Sequence, residues 1–129
     1  MSALEDAKKD MALTAQEESL YSHHLKNLEG TGKVKNADGS ISTVYSTTVD
    51  IDGKTYTLPT VWNGKILEPD EAIKKAESIG LDKFPSYASP EEAMTRYQQL
   101  HTYMERDTKE YLRSQGRSKS FGSITGITQ

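Results

Sequence analysis

Residues 40–67, SISTVYSTTVDIDGKTYTLPTVWNGKIL, decide the fold. Ile41, Thr43, Tyr45, Thr47, Val49 and Ile51 put a β-branched or aromatic side chain at every second position, the period of a strand with one face against a core. Asp52-Gly53 follows, a pair that tolerates positive φ in a two-residue hairpin turn. That loop length predicts Val49 opposite Tyr56, Thr47 opposite Leu58, Tyr45 opposite Thr60 and Thr43 opposite Trp62, with the large side chains on one face. Asn63-Gly64 repeats the turn and brings Lys65-Ile66-Leu67 back along Thr60-Val61-Trp62, Val61 against Ile66. Upstream, Asn36-Ala37-Asp38-Gly39 is a third turn, adding a short strand from Lys33. The expected sheet is a meander over 33–67.

Working outward, Thr14 and Glu17 form a capping box, so a helix is expected over 14–29. Its stripe is Tyr21, Leu25 and Leu28, and Gly30 ends it. After the sheet, Pro69 sits at a first helical position with acids behind it, predicting a short helix over 69–79 that buries Ala72, Ile73, Ala76 and Ile79. Residues 81–87, LDKFPSY, read as a connection whose Phe84 and Tyr87 plug the core edge. Ser89 and Glu92 are a second capping box, opening a long helix over 89–115 with Ala93, Tyr97, Leu100 and Met104 inward and Tyr111 and Leu112 continuing the stripe.

Hydrophobic residues make up 34% of the chain, below the roughly 45–50% of globular proteins when Gly is included, so extended ends are expected. Residues 1–13 read as a marginal helix or an arm ordered on a partner surface, and 116–129, rich in Gly, Ser and Thr with isolated Phe121, Ile124 and Ile127, as a flexible or partner-ordered tail. The net charge of −3, with both signs interspersed, offers no basic field and disfavours direct nucleic-acid binding. Without cysteine there is neither a disulfide framework nor a thiolate metal site. The acidic first twenty residues lack the apolar run of a signal peptide, and no stretch has the length of a membrane span.

The candidates for chemistry each fail on spacing. His23 and His24 point about 100° apart on a helix, so only one of them can meet His101, too few ligands for zinc. Asn36 to Ile41 resembles part of a calcium loop, but Val34 and Tyr45 occupy the first and twelfth ligand positions. Asp50 and Asp52 sit at a hairpin tip and read as turn residues. Gly30-Thr31-Gly32-Lys33 lacks the earlier glycine of a phosphate loop and leads into a strand where that loop opens a helix. No serine lies in a nucleophile elbow. No catalytic residue, metal site or cofactor is therefore expected. The hairpin face carrying Ser42, Ser46, Thr48, Thr55 and Thr57 reads either as a solvated sheet face or as a polar docking surface. Aromatic and imidazole side chains suited to partner contact are Tyr21, His23 and His24 in the first helix, Trp62 at the second turn and Phe121 in the tail, with Trp62 equally suited to anchor the sheet.

The run from Tyr21 to Thr108, above all NLEGTGKVKNADGSISTVYS, DGKTYTLPTVWNGKIL and PSYASPEEAMTRYQQLHTYME, resembles a small unit that recurs in tailed-bacteriophage proteins. That unit occurs alone or inside larger chains encoded among virion structural and DNA-ejection genes, and no catalytic residue is carried over from it. The resemblance implies a virion protein at the portal, the head-to-tail junction or among the internal ejection proteins, made in the host cytoplasm.

The expectation is an α+β domain over 14–115: a three- to four-stranded antiparallel β-meander packed by an N-terminal, a short middle and a long C-terminal helix, with extended termini. The function expected is non-enzymatic, contact with portal, neck or ejection proteins in a symmetric oligomeric assembly. The alternatives are a phage regulator that binds a host protein and an accessory enzyme of cell-wall penetration.

Overall fold

A computed structural model describes residues 2–120. In chain order these form α1 (Leu4–Met11), α2 (Ala15–Glu29), β1 (Val34–Lys35), β2 (Ile41–Ser42), β3 (Thr47–Ile51), β4 (Lys54–Leu58), β5 (Val61–Trp62), β6 (Lys65–Ile66), α3 (Pro69–Ile79), a 3₁₀ turn (Leu81–Lys83), β7 (Ser86–Tyr87) and α4 (Pro90–Ser120). The fold is α+β, as expected.

The hairpin of β3 and β4 has the predicted register, Thr47 opposite Leu58 and Val49 opposite Tyr56. Asp52 and Gly53 have φ of 51° and 80°, two left-handed residues whose twist matches that of the flanking strands. Asn63 and Gly64, at 52° and 78°, do the same between β5 and β6, with Val61 opposite Ile66. The third turn joins β1 to β2 as predicted.

The strands do not form one meander. They form three ladders, β1-β2, β3-β4-β7 and β5-β6. The break falls at Pro59, which has no N–H to continue the β4 ladder. Across from it the chain leaves the extended path at Tyr45, whose φ is 43°. The expected pairs Tyr45–Thr60 and Thr43–Trp62 are replaced by a clamp. Val44 C=O accepts from Thr60 N–H at 2.8 Å, and Tyr45 C=O accepts from the Thr60 hydroxyl at 2.5 Å. The third strand of the central sheet is instead β7, paired to β4 through Thr55–Tyr87 and Tyr56–Ser86. Two residues carry too little alternation to announce a strand, so this segment read as a connection.

Two cores flank the central sheet. On one face Leu58 packs with Ala76 and Phe84, joined by Val49, Tyr56, Trp62 and Ile73. The second core lies among the helices, where Ala7, Met11, Leu20, Tyr21, Val44, Leu100 and Met104 meet. The capping box of α2 forms from Thr14 with Glu17; at α4 the Glu92 N–H donates to the Ser89 hydroxyl as expected, but the Glu92 carboxylate accepts from the Ala88 N–H, one residue before the cap. Ile79, expected inside, is partly exposed.

Of the two expectations for residues 1–13 the structure takes the helix, α1, whose Ala7 and Met11 are buried against the molecule's own core rather than on a partner. Its charges reach α4: Arg106 bonds Asp6 at 2.7 Å and the Tyr103 hydroxyl donates to Asp10 at 2.7 Å. α4 continues past Gly116 to Ser120; a glycine inside a helix costs about 1 kcal/mol and does not by itself end one. The remainder of the expected tail, 121–129, lies outside the described residues.

The hydroxyl-rich face is neither solvated nor a docking surface along β4, because the molecule's own helices cover it. Thr55 and Thr57 are buried, and α4 packs on β4. The Thr55 hydroxyl donates to Asp50 at 2.6 Å, whereas the Thr57 hydroxyl has no partner. An orphaned buried hydroxyl is destabilising where a methyl of the same shape is not. Thr57→Val is therefore expected to raise stability by about 1 kcal/mol, read as a higher urea midpoint with an unchanged slope.

Candidate protein contact site

The residues singled out for partner contact divide between interior and surface. Tyr21 and His24, one helical turn apart on α2, are fully buried and belong to a closed network. The Tyr21 hydroxyl donates to Asp107 Oδ2 at 2.6 Å, and Ala3 N–H donates to Asp107 Oδ1 at 2.7 Å. His24 Nδ1 meets the Thr43 hydroxyl at 2.6 Å, while its Nε2 faces Asp107 Oδ2 at 3.7 Å, too far for a hydrogen bond. Burial, followed by the Asp107 carboxylate, pushes the Tyr21 phenol well above its ordinary value. Asp107 so ties α1, α2 and α4 together. The expectation that Tyr21 and His24 contact partners fails because an amphipathic stripe turns them inward.

His23 and Trp62 are half-buried beside each other, their rings 4.5 Å apart. His23 Nε2–H donates to Val61 C=O at 2.8 Å, and the Trp62 indole N–H donates to Pro59 C=O at 3.0 Å. Lys75 Nζ also lies over the indole, 5.1 Å from the ring centroid. Burial lowers the affinity of His23 for a proton, against the pull of that carbonyl. Trp62 thus serves the second core, the other role foreseen for it. Phe121 lies outside the described residues.

The remaining motifs are occupied by structure. Asp38 accepts from Ser40 N–H and hydroxyl at 2.9 and 2.6 Å, which closes the turn. Lys33 Nζ donates to the Gly30 carbonyl at 2.7 Å and caps α2. Among the described residues no group of three His, Asp or Glu is placed to hold a metal, and no helix is long and apolar enough to cross a membrane.

A groove lies open between residues 40–46 and α4, with a volume of about 490 Å³. Val44, Met104 and His24 form its floor, and Tyr97, His101, Glu105 and Leu112 rise along α4. On the opposite rim stands Tyr45, 63% exposed. A left-handed backbone costs a residue with a side chain roughly 1–2 kcal/mol, and the Thr60 clamp holds Tyr45 there with its ring outside. Such strain in a bulky residue marks places where geometry serves something other than stability. Tyr45→Gly is expected to leave stability unchanged or raise it by up to about 1 kcal/mol, measured by urea unfolding; a larger loss would mean that the ring supports the fold.

The sequence reading missed Tyr45 and the outward side of α4. It placed Tyr45 in a strand and Leu112 on a buried stripe, and no local signal marks a left-handed tyrosine. Comparison of the chain with known protein families, with curated proteins and with solved structures finds no match.

Proposed function

We propose that this protein is a non-enzymatic contact module of a tailed-phage virion, located at the portal, the head-to-tail junction or among the internal ejection proteins. The observation that carries the contact reading is the groove, where an exposed tyrosine is held at positive φ above an apolar floor. Aromatic side chains of this kind anchor protein interfaces. The buried carboxylates are taken up by structure: Glu17 joins α2 to α4 through Arg96, and Asp107 joins α4 to Tyr21 and Ala3. The assignment to a virion rests on the resemblance of residues 21–108 to the phage unit.

The test is quantitative mass spectrometry of purified particles, with sedimentation of the protein mixed with the portal and neck proteins of the same phage. A fixed copy number per particle and a complex weakened by Tyr45→Ala are the expected results. Absence from particles, with capture of a host protein by the same groove, would replace this reading with that of a host-directed regulator.

A further inference from the structure

We propose that the outward stripe of α4 pairs with the same stripe of a second copy of this chain, antiparallel, across a two-fold axis at the level of residue 103. Met94, His101, Glu105 and Leu112 all lie within about 20° of one line along the helix, at ~100° per residue. All four are exposed, Met94 by 62% and Leu112 by 40%. Met94 and Leu112 are equally far from the level of residue 103 on opposite sides, and so are His101 and Glu105.

A two-fold axis there is self-complementary. It sets Met94 against Leu112 of the second copy, and His101 against Glu105 of the second copy, an imidazole N–H opposite a carboxylate. Gln98 falls beside Lys109 of the second copy, amide oxygen to ammonium. A parallel pairing fails the same test, because it places Glu105 on Glu105 and His101 on His101.

The groove supplies the seat. Tyr97, His101, Glu105 and Leu112 form one of its walls, and Tyr45 on the facing rim stands against the incoming helix. The strip spans about 27 Å at ~1.5 Å per residue and is narrow, so its area falls at the low end of specific interfaces. The pair therefore forms with rising concentration and separates on dilution. This inference goes beyond the virion reading, since two copies would pair whether or not the protein enters a particle.

Sedimentation over a concentration series tests it. The wild type is expected to pass from monomer to dimer, and His101→Glu, which sets acid against acid, to weaken the dimer at least tenfold. The double swap His101→Glu with Glu105→His restores the complement and is expected to recover it. The chain has no cysteine, so direction can be read directly. Mixing Met94→Cys with Leu112→Cys should give rapid oxidative crosslinking between the two variants, and neither should crosslink to itself. A monomer at every concentration, a dimer indifferent to His101→Glu, or crosslinking of Met94→Cys to itself would each overturn the proposal. Failure here would leave the particle test of the virion reading untouched.

Discussion

Replacing Arg96 by alanine is expected to cost about 3–5 kcal/mol, a large part of the ~5–15 kcal/mol that holds a domain of this size together. The reason is Glu17, whose carboxylate is fully buried at the N-terminus of α2. Arg96 grips it with two parallel bonds, Nε to Oε2 at 2.9 Å and a terminal nitrogen to Oε1 at 2.6 Å. The Tyr87 hydroxyl donates at 2.6 Å, and Thr14 N–H donates at 3.0 Å in the capping box. Burial pushes the Glu17 carboxyl up, but Arg96, Tyr87 and the Thr14 backbone outweigh it and hold the carboxyl below its ordinary 4.5. A folded-state affinity for protons below that of the unfolded chain stabilises the fold above pH about 4.5, and that stabilisation is lost as pH falls through the folded value. Without Arg96 the charge is stranded, and the cheapest escape is to unfold or to take up a proton. The Arg96→Ala variant should therefore lose stability most at neutral pH and approach the wild type in acid. Glu17→Gln with Arg96→Ala should recover part of the loss, because removing both charges leaves no stranded ion. Urea midpoints for the three variants at two pH values decide it. Equal losses at both pH values would show that Arg96 acts through its aliphatic packing alone.

Glu17 also shows what the sequence could and could not tell. Its spacing from Thr14 is a local rule and was legible, as were Asp52-Gly53 and Asn63-Gly64, whose φ values follow from residue type. The helices 14–29, 69–79 and 89–115 were legible for the same reason. That the same carboxylate would meet Arg96, seventy-nine residues later, depends on how α2 and α4 cross, which no local pattern encodes. For α1 the sequence left helix and arm open, because eight residues rich in charge bury only a thin line of Ala7 and Met11, and that line makes sense only beside α4. β7 was hidden because a two-residue strand has no period. The candidate site fared worst. Tyr21 and His24 have the residue types of an interface, yet in a chain with few apolar residues such side chains are drawn inward to complete the core, the Tyr21 hydroxyl bonded to Asp107 and His24 Nδ1 to Thr43, with only His24 Nε2 left without a partner. Tyr45 went to the surface because Pro59 ends the ladder and Thr60 holds the bend, a consequence of pairing between segments fifteen residues apart.

The pH dependence of folding is expected to carry the signature of His24. Burial pulls its affinity for protons down to about 4, against the opposing pull of the Asp107 carboxylate. In the unfolded chain the same side chain titrates near its ordinary 6.5. Between those values the unfolded state binds a proton that the folded state refuses, so stability falls as pH drops from about 6.5 to about 4 and then levels off. At 1.36 kcal/mol per pH unit the loss is about 3 kcal/mol. Other groups titrate nearby: His23 also refuses a proton through burial, and Glu17 loses its contribution in the same direction. Both are present in His24→Gln, so the difference between wild type and variant isolates the one imidazole. His24→Gln is expected to be less stable near neutrality, where it lacks the fit to Thr43, and to gain on the wild type by about 3 kcal/mol as pH falls to about 4. A difference that stays flat across that range would mean that His24 already carries its proton in the fold, paired with Asp107. The neutral form follows from geometry as much as from burial. Asp107 Oδ2 is taken by the Tyr21 hydroxyl at 2.6 Å, while His24 Nε2 stands 3.7 Å away, so the carboxylate that could stabilise an imidazolium is committed to the phenol.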